Sequence, residues 1–189
     1  MSLTDRVHDL PLWYELDANN YVVAVSEYWD VHAMQYQTPS LLAKHIIGTR
    51  LDSQISGDVT QMFTDTMIAS ARVQAKSLTR RYRCDSPTHR REMEMVLTPL
   101  ANGHLRIAHQ LIEETPWQHA RRLHTQAPNG ALRSKRRIKR CSMCNSLLDG
   151  DEWVSQDVYL ERHPQQNEDA LTVFYGICPR CAQGVQSDV

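Results

Sequence analysis

The sequence predicts an α+β chain in two parts. A five-stranded antiparallel sheet with helices occupies residues 1–116, a basic connector occupies 117–140, and a small four-cysteine module occupies 141–189. Three observations carry this reading. Alternating apolar segments lie on both sides of one strong helical repeat, the composition changes near residue 116, and two Cys-x-x-Cys pairs fall in the last fifty residues.

The elements follow in order. "LWYELDANNYVVAV" holds two apolar runs around Asp17-Ala18-Asn19-Asn20, side chains that tolerate left-handed geometry, which predicts a hairpin. Ser26 is expected to cap a helix over about 27–36, with Trp29 and Ala33 on one face. "IIGTRL" bends at Gly48. In "DVTQMFTDTMIASARVQA", Val59, Met62, Phe63, Met67 and Ala71 recur at helical spacing. Three alternating strands complete the set: "SLTRRYRCD", "RREMEMVLTPL" with Met93, Met95 and Leu97 on one face, and "HLRIAHQLI" with Leu105, Ile107 and His109 on one face. Ser86-Pro87 and Asn102-Gly103 supply the turns between them.

Composition narrows the function classes. An apolar share of 41% with 23% charged residues is that of a soluble globular protein with enough chain for a core. The start, "MSLTDRVHDLPLW", has no basic-then-apolar pattern, and no run of about 18 apolar residues occurs, so a cytoplasmic location without membrane contact is expected. The net charge of −1 hides "RSKRRIKR", where Arg133, Lys135, Arg136, Arg137, Lys139 and Arg140 are candidate contacts for nucleic acid or a protein partner. No aromatic residue interleaves that run to stack on bases. There is no Gly-x-Ser-x-Gly elbow, His-Glu-x-x-His pair or kinase signature, so no enzyme activity is expected.

Cys141 and Cys144, with Cys178 and Cys181, offer four thiolates at the tetrahedral geometry zinc accepts. The 33 residues between the pairs exceed the usual spacing but add little closure entropy, and they have room for a hairpin and helix around Trp153. Redox exchange and unligated pairs are the other readings. The pairs lack the βαβ setting of a thioredoxin motif. Cys84 is the fifth cysteine. It reads as a small strand side chain, or as a redox thiol whose pKa Arg81 and Arg83 would lower and Asp85 would oppose.

The element order, with "SEYWDVHA", "IIGTRLDSQISG", "YRCDSPTHRR", "PLANGHL" and "EETP", resembles PAS domains of a bacterial group carrying an RCDSP stretch. In that group a CSWC pair, a tryptophan and HGICPxC follow. Here "CSMC", Trp153 and "YGICPRC" correspond, and the resemblance spans residues from about 10 to 182. Met143 and Tyr175 depart from the group's aromatic and histidine, so no ligand role for that histidine carries over. The resemblance implies a PAS-like five-stranded sheet with helices, a zinc-ribbon-like module and a role in signalling. Taken with the spacing, it makes one structural Zn2+ on Cys141, Cys144, Cys178 and Cys181 the expectation.

Trp29, Phe63, Met67, Met93, Met95 and Ile107 are the candidate lining of a PAS ligand pocket. Its ligand is unspecified. Haem or flavin is not expected: His32, His45 and His109 are the only axial candidates the fold suggests, and no glycine-rich phosphate loop occurs. The function expected is a regulator in which a PAS sensor or docking domain and a zinc module act through a protein partner or homodimer. A nucleic-acid-binding transcriptional regulator and a thiol redox sensor are the alternatives.

Overall fold

The computed structural model describes residues 10–55, 57–86, 89–117, 125–126, 137–164 and 171–186, and it contains two five-stranded sheets. Strands β1 (Leu12–Leu16) and β2 (Val22–Val25) form the predicted hairpin. Its turn is built by Asp17, whose Oδ1 accepts from the Asn19 and Tyr21 amides, each at 2.8 Å, while Asn20 takes φ 65°. Helices α1 (Trp29–Gln35), α2 (Ala43–Ile46) and α3 (Asp58–Gln74) follow, then β3 (Leu78–Arg83), β4 (His89–Pro99) and β5 (Leu105–Pro116). The strand order is β2-β1-β5-β4-β3, entirely antiparallel. This is the PAS-like architecture expected from the sequence.

Alternation puts Leu16, Leu105, Ile107 and Leu97 on the inner face, where register pairs Leu16 with Leu105 and Leu97 with Ile107. All four are fully buried, and α3 lays Phe63, Met67, Ile68 and Ala71 over them. Two expectations need correction. Ser26 does not cap α1, whose N-cap is Tyr28 with no side-chain cap bond. Ser26 is instead buried, with its Oγ 3.4 Å from the Trp13 amide, tying the loop back to β1. Met62 does not share the buried face of α3; it is exposed, and Ile68 supplies the fourth buried side chain.

The second sheet has order β6-β10-β7-β8-β9, from β6 (Thr125–Gln126), β7 (Arg137–Cys141), β8 (Leu147–Asp149), β9 (Glu152–Val154) and β10 (Leu171–Gly176). The β8–β9 hairpin and α4 (Gln156–Arg162) occupy the long interval between the cysteine pairs, with Ser155 capping α4 through the Val158 amide. Helix α5 (Pro179–Gln186) follows β10. Ile138, Leu147, Val154, Tyr159 and Val173 form a small core. The basic run enters this sheet: Arg137, Lys139 and Arg140, assigned to the connector, lie in β7, because β10 needs that strand as its parallel partner. Arg133, Lys135 and Arg136 lie outside the described residues, as does Pro87.

So small a unit buries little apolar surface alone, and it docks on the first. The Arg83 amide donates to the Met143 carbonyl at 2.6 Å, and Thr60 and Ser142 hydroxyls meet at 2.5 Å. The Arg80 guanidinium donates to the Cys181 carbonyl. Cys141, Met143 and Cys178 belong to the same buried cluster as Phe63 and Leu97. Among the described residues no helix is long and apolar enough to cross a membrane.

Candidate metal centre and adjoining cavity

The four cysteines converge because β7 and β10 run parallel with Gly176 beside Cys141. Each strand then delivers a Cys-x-x-Cys turn to the same end of the sheet. After β7 the chain reverses through Ser142–Cys144, with Asn145 at φ 60° and its amide bonded to the Cys141 carbonyl at 3.0 Å. The Ser142 amide bonds the Gly176 carbonyl at 2.9 Å, stitching the two turns together. The Cys178 amide points at Cys141 Sγ at 3.4 Å. Cys144 and Cys178 sulfurs lie 3.7 Å apart, and all four sulfurs fall within 4.8 Å of one another. Cys141 and Cys178 are buried, while Cys144 and Cys181 are half-buried.

Such crowding couples the thiols. Hydrogen bonds from Cys141 and then Cys181 push Cys144 down, while hydrogen bonds to Cys141 and Cys144 push Cys181 up. Burial pushes Cys178 up as well. Four thiolates packed this closely cannot coexist without a cation, and four soft sulfur donors suit a metal held in a closed shell. The four residues form a group that can hold a metal ion.

Beside this centre, Asp85 collects hydrogen bonds from Arg83 Nε at 2.8 Å and Nη2 at 2.7 Å, from the Arg91 amide at 3.0 Å, and from the Asn145 side-chain amide at 2.8 Å. Nothing in the sequence pattern joins Asp85 to a residue sixty positions later. Met143, the departure from the aromatic, is buried against the core of the first sheet, and Tyr175 is exposed and packs near Gly57.

A largely apolar cavity of about 360 Å³ lies at the far end of the first sheet's inner face, beneath α1. Leu12, Tyr82, Met93, His109 and Leu111 form its floor, and His32, Tyr36 and Leu41 its roof. Of the six residues read as pocket lining, only Met93 borders it. Phe63, Met67 and Ile107 are buried in the packed core, and Trp29 and Met95 pack against that core from the side. Trp29 Nε1 donates to the Leu41 carbonyl at 2.6 Å. The sequence signal for the true lining was present in His109, a polar residue in phase with Leu105 and Ile107. His32 also lines the cavity, whereas His45 on α2 is exposed.

His109 Nδ1 and the Tyr82 hydroxyl lie 2.9 Å apart, and the imidazole stacks on Tyr14 at 5.8 Å between centroids. Burial drives the His109 pKa down to about 4 and raises those of Tyr82 and Tyr14. These three side chains are therefore neutral near pH 7. Cys84 stands at the cavity mouth. The residue is exposed, just past the end of β3, and the partial desolvation at that mouth raises its thiol pKa against the lowering pull of Arg91 and Arg140. The expectation of a thiolate activated by Arg81 and Arg83 is thus reversed: Arg83 is paired with Asp85, and Arg81 lies 3.6 Å from Glu92.

In the basic run, Arg137 and Lys139 are exposed and Arg140 is half-buried. The second sheet supplies the aromatic that the run itself lacks. Phe174 pairs in register with Lys139, is exposed, and lies under the Arg137 guanidinium at 5.8 Å.

No family model matches the sequence, and no curated protein matches it. Several solved structures are similar in fold, three of which follow. A domain of an HTR-like protein from Haloarcula marismortui has a TM-score of 0.41 at 10% identity, covering 55% of this chain and 98% of its own. A sensory box sensor histidine kinase from Vibrio cholerae has a TM-score of 0.40 at 11% identity, covering 58% of this chain and 89% of its own. The PAS domain of nitrogen regulation protein NR(II) from Vibrio parahaemolyticus has a TM-score of 0.34 at 15% identity, covering 59% of this chain and 100% of its own. Scores of this size carry no argument of their own, so the PAS-like assignment rests on the strand order β2-β1-β5-β4-β3 and the helices covering one face.

Proposed function

We propose that this chain is a cytoplasmic, non-catalytic signalling protein of the RCDSP type, in which a PAS sensor domain and a structural zinc module act together on a protein partner or a second copy. The observation that carries the reading is that the four-cysteine centre is built directly against the PAS core, with Cys141, Met143 and Cys178 in the same buried cluster as Phe63 and Leu97. A state set in the sensor thus meets the module through packed contacts rather than through a tether. Zinc suits the site. Metal–sulfur bonds of about 2.3 Å place tetrahedral sulfurs about 3.8 Å apart, and Cys144 and Cys178 stand at 3.7 Å. Four thiolates leave no open position for substrate, which fits a structural role.

Metal analysis of the protein purified without chelator tests this reading. One equivalent of zinc is expected, with Cys141→Ser or Cys178→Ser releasing it and unfolding residues 137–186, because binding energy in such a site is folding energy. Protein with no metal and four freely titrating thiols would refute it.

Phe174 beside Arg137 and Lys139 favours a second reading, nucleic-acid binding, because an exposed aromatic among cations can stack a base while the cations meet phosphates. An anisotropy titration with single-stranded and duplex oligonucleotides at two salt concentrations separates the two. Tight binding lost in Phe174→Ala and Lys139→Glu would favour nucleic acid over a protein partner.

A further inference from the structure

The cavity and the metal knuckle share one wall. Cys84, Asp85 and Ser86 line the cavity. The same segment holds the knuckle, through the Arg83 amide on the Met143 carbonyl at 2.6 Å and Asp85 on the Asn145 amide at 2.8 Å. The Asp85 side chain is 8% exposed and that of Arg83 14%. Neither can change partners without leaving a buried charge bare, so the segment moves as a unit.

The lining also restricts what can enter. Each formal charge at the cavity already has a partner: Arg91 Nε meets Glu114 at 2.5 Å with its guanidinium over the Tyr36 ring, and Asp85 is held by Arg83. His109 is neutral, its Nδ1 is engaged by Tyr82, and its Nε2 has no hydrogen-bond partner among the described residues. An ionic ligand would lose its hydration there and gain no counter-charge. A neutral one gains apolar contact with Leu12, Met93 and Leu111 and one hydrogen bond at His109. A volume of about 360 Å³ equals about a dozen water volumes, which sets the ligand's size.

We infer that the cavity takes a small, uncharged, mainly apolar ligand with one polar group for His109, and that its occupancy is transmitted to the metal knuckle through Arg83–Ser86. The inference rests on the sensor and zinc reading above. A ligand touching Cys84 and Asp85 contacts the residues that seat Asn145, so any shift of the knuckle alters the wall the ligand meets. The coupling is reciprocal: the factor by which ligand alters metal binding is the factor by which metal alters ligand binding.

The test uses the zinc-loaded full chain with two probes of one shape, neutral 1-naphthol and anionic 1-naphthoate. Calorimetry gives their affinities, and transfer of zinc to a chromogenic chelator is timed with and without saturating naphthol. Naphthol is expected to bind at least about tenfold tighter than naphthoate and to change the transfer rate severalfold. Asn145→Gly suits the φ of 60° at that position and removes only the side-chain link. It should keep zinc and naphthol affinity while the transfer rate responds to naphthol less than in the wild type, through the Arg83–Met143 bond that remains. His109→Leu should weaken naphthol about fivefold with zinc content unchanged. Equal binding of naphthoate overturns the ligand class. Naphthol binding that leaves zinc transfer unaltered in the wild type, or alters it equally in Asn145→Gly, overturns the transmission alone. No naphthol binding by zinc-loaded protein overturns the whole inference, whereas protein without zinc overturns the proposed function instead.

Discussion

Replacing Asp85 by alanine removes all four hydrogen bonds that converge on its carboxylate and strands Arg83 beside the metal knuckle. Breaking a buried ion pair by deleting one partner costs about 3–5 kcal/mol, because the surviving charge is left without compensation. Arg83 borders two clefts of about 360 and 290 Å³ at the junction of the sheets, so water can reach its guanidinium. That places the expected loss at the low end, about 3 kcal/mol, or a factor of roughly 150 in the folding equilibrium. Asp85→Asn keeps an acceptor for the Arg91 amide but gives up the charge, and should lose about 1–2 kcal/mol. Urea unfolding of the zinc-loaded protein, followed by tryptophan fluorescence and far-ultraviolet dichroism, measures both. The double variant Arg83→Ala/Asp85→Ala should lose less than the sum of the singles, since removing both partners removes the stranded charge. A loss below about 1 kcal/mol in Asp85→Ala, or strict additivity in the double variant, would refute the reasoning.

Leu97→Ala, at a fully buried position over which α3 packs, should cost about 2–5 kcal/mol by the same urea assay. His109 has a folded pKa of about 4 against 6.5 when unfolded, so between those values the unfolded chain binds more protons. Stability should therefore be full above about pH 6.5 and fall by up to about 3 kcal/mol as the pH drops to 4, with the His109→Leu profile flatter across that window. Ala75 ends α3 at φ 50°, a conformation that glycine adopts without a Cβ penalty, and Ala75→Gly should raise stability by about 0.5–1 kcal/mol in a urea titration.

What the sequence conveyed and what it withheld divide along range. Local periodicity was sufficient for the hairpin at Asp17–Asn20, the long helix and the three strands, because each is fixed by side chains a few positions apart. It misjudged Met62 and Ser26, where a helical stripe is wider than the face actually covered and a capping residue was recruited by β1 instead. The cysteine spacing correctly nominated four residues that meet. The same spacing is silent on Asp85 and Asn145, whose bond depends on how two sheets dock. The methionines read as pocket lining illustrate the same limit. Phase along a strand tells which side chains face inward, and not where along that face α3 stops covering them. Met93 lies beyond that end, whereas Met95, two positions along β4, packs against the core that α3 covers.

The parallel pairing of β7 with β10 sets an order on synthesis. The last strand of the PAS-like sheet ends at Pro116, yet the second cysteine pair is complete only at Cys181, roughly 65 residues later. At about 5–20 residues per second, a growing chain spends several seconds with the first sheet complete and at most one knuckle made. Two thiolates hold zinc far less well than four, so under the proposed reading capture would wait for β10 to seat beside β7. Until then the Arg83 amide and the Asp85 carboxylate lack the knuckle that later covers them. On the proposed zinc reading, metal uptake would mark the end of assembly, and a ribosome stalled before β10 would leave a first sheet whose edge is still open for quality control to find.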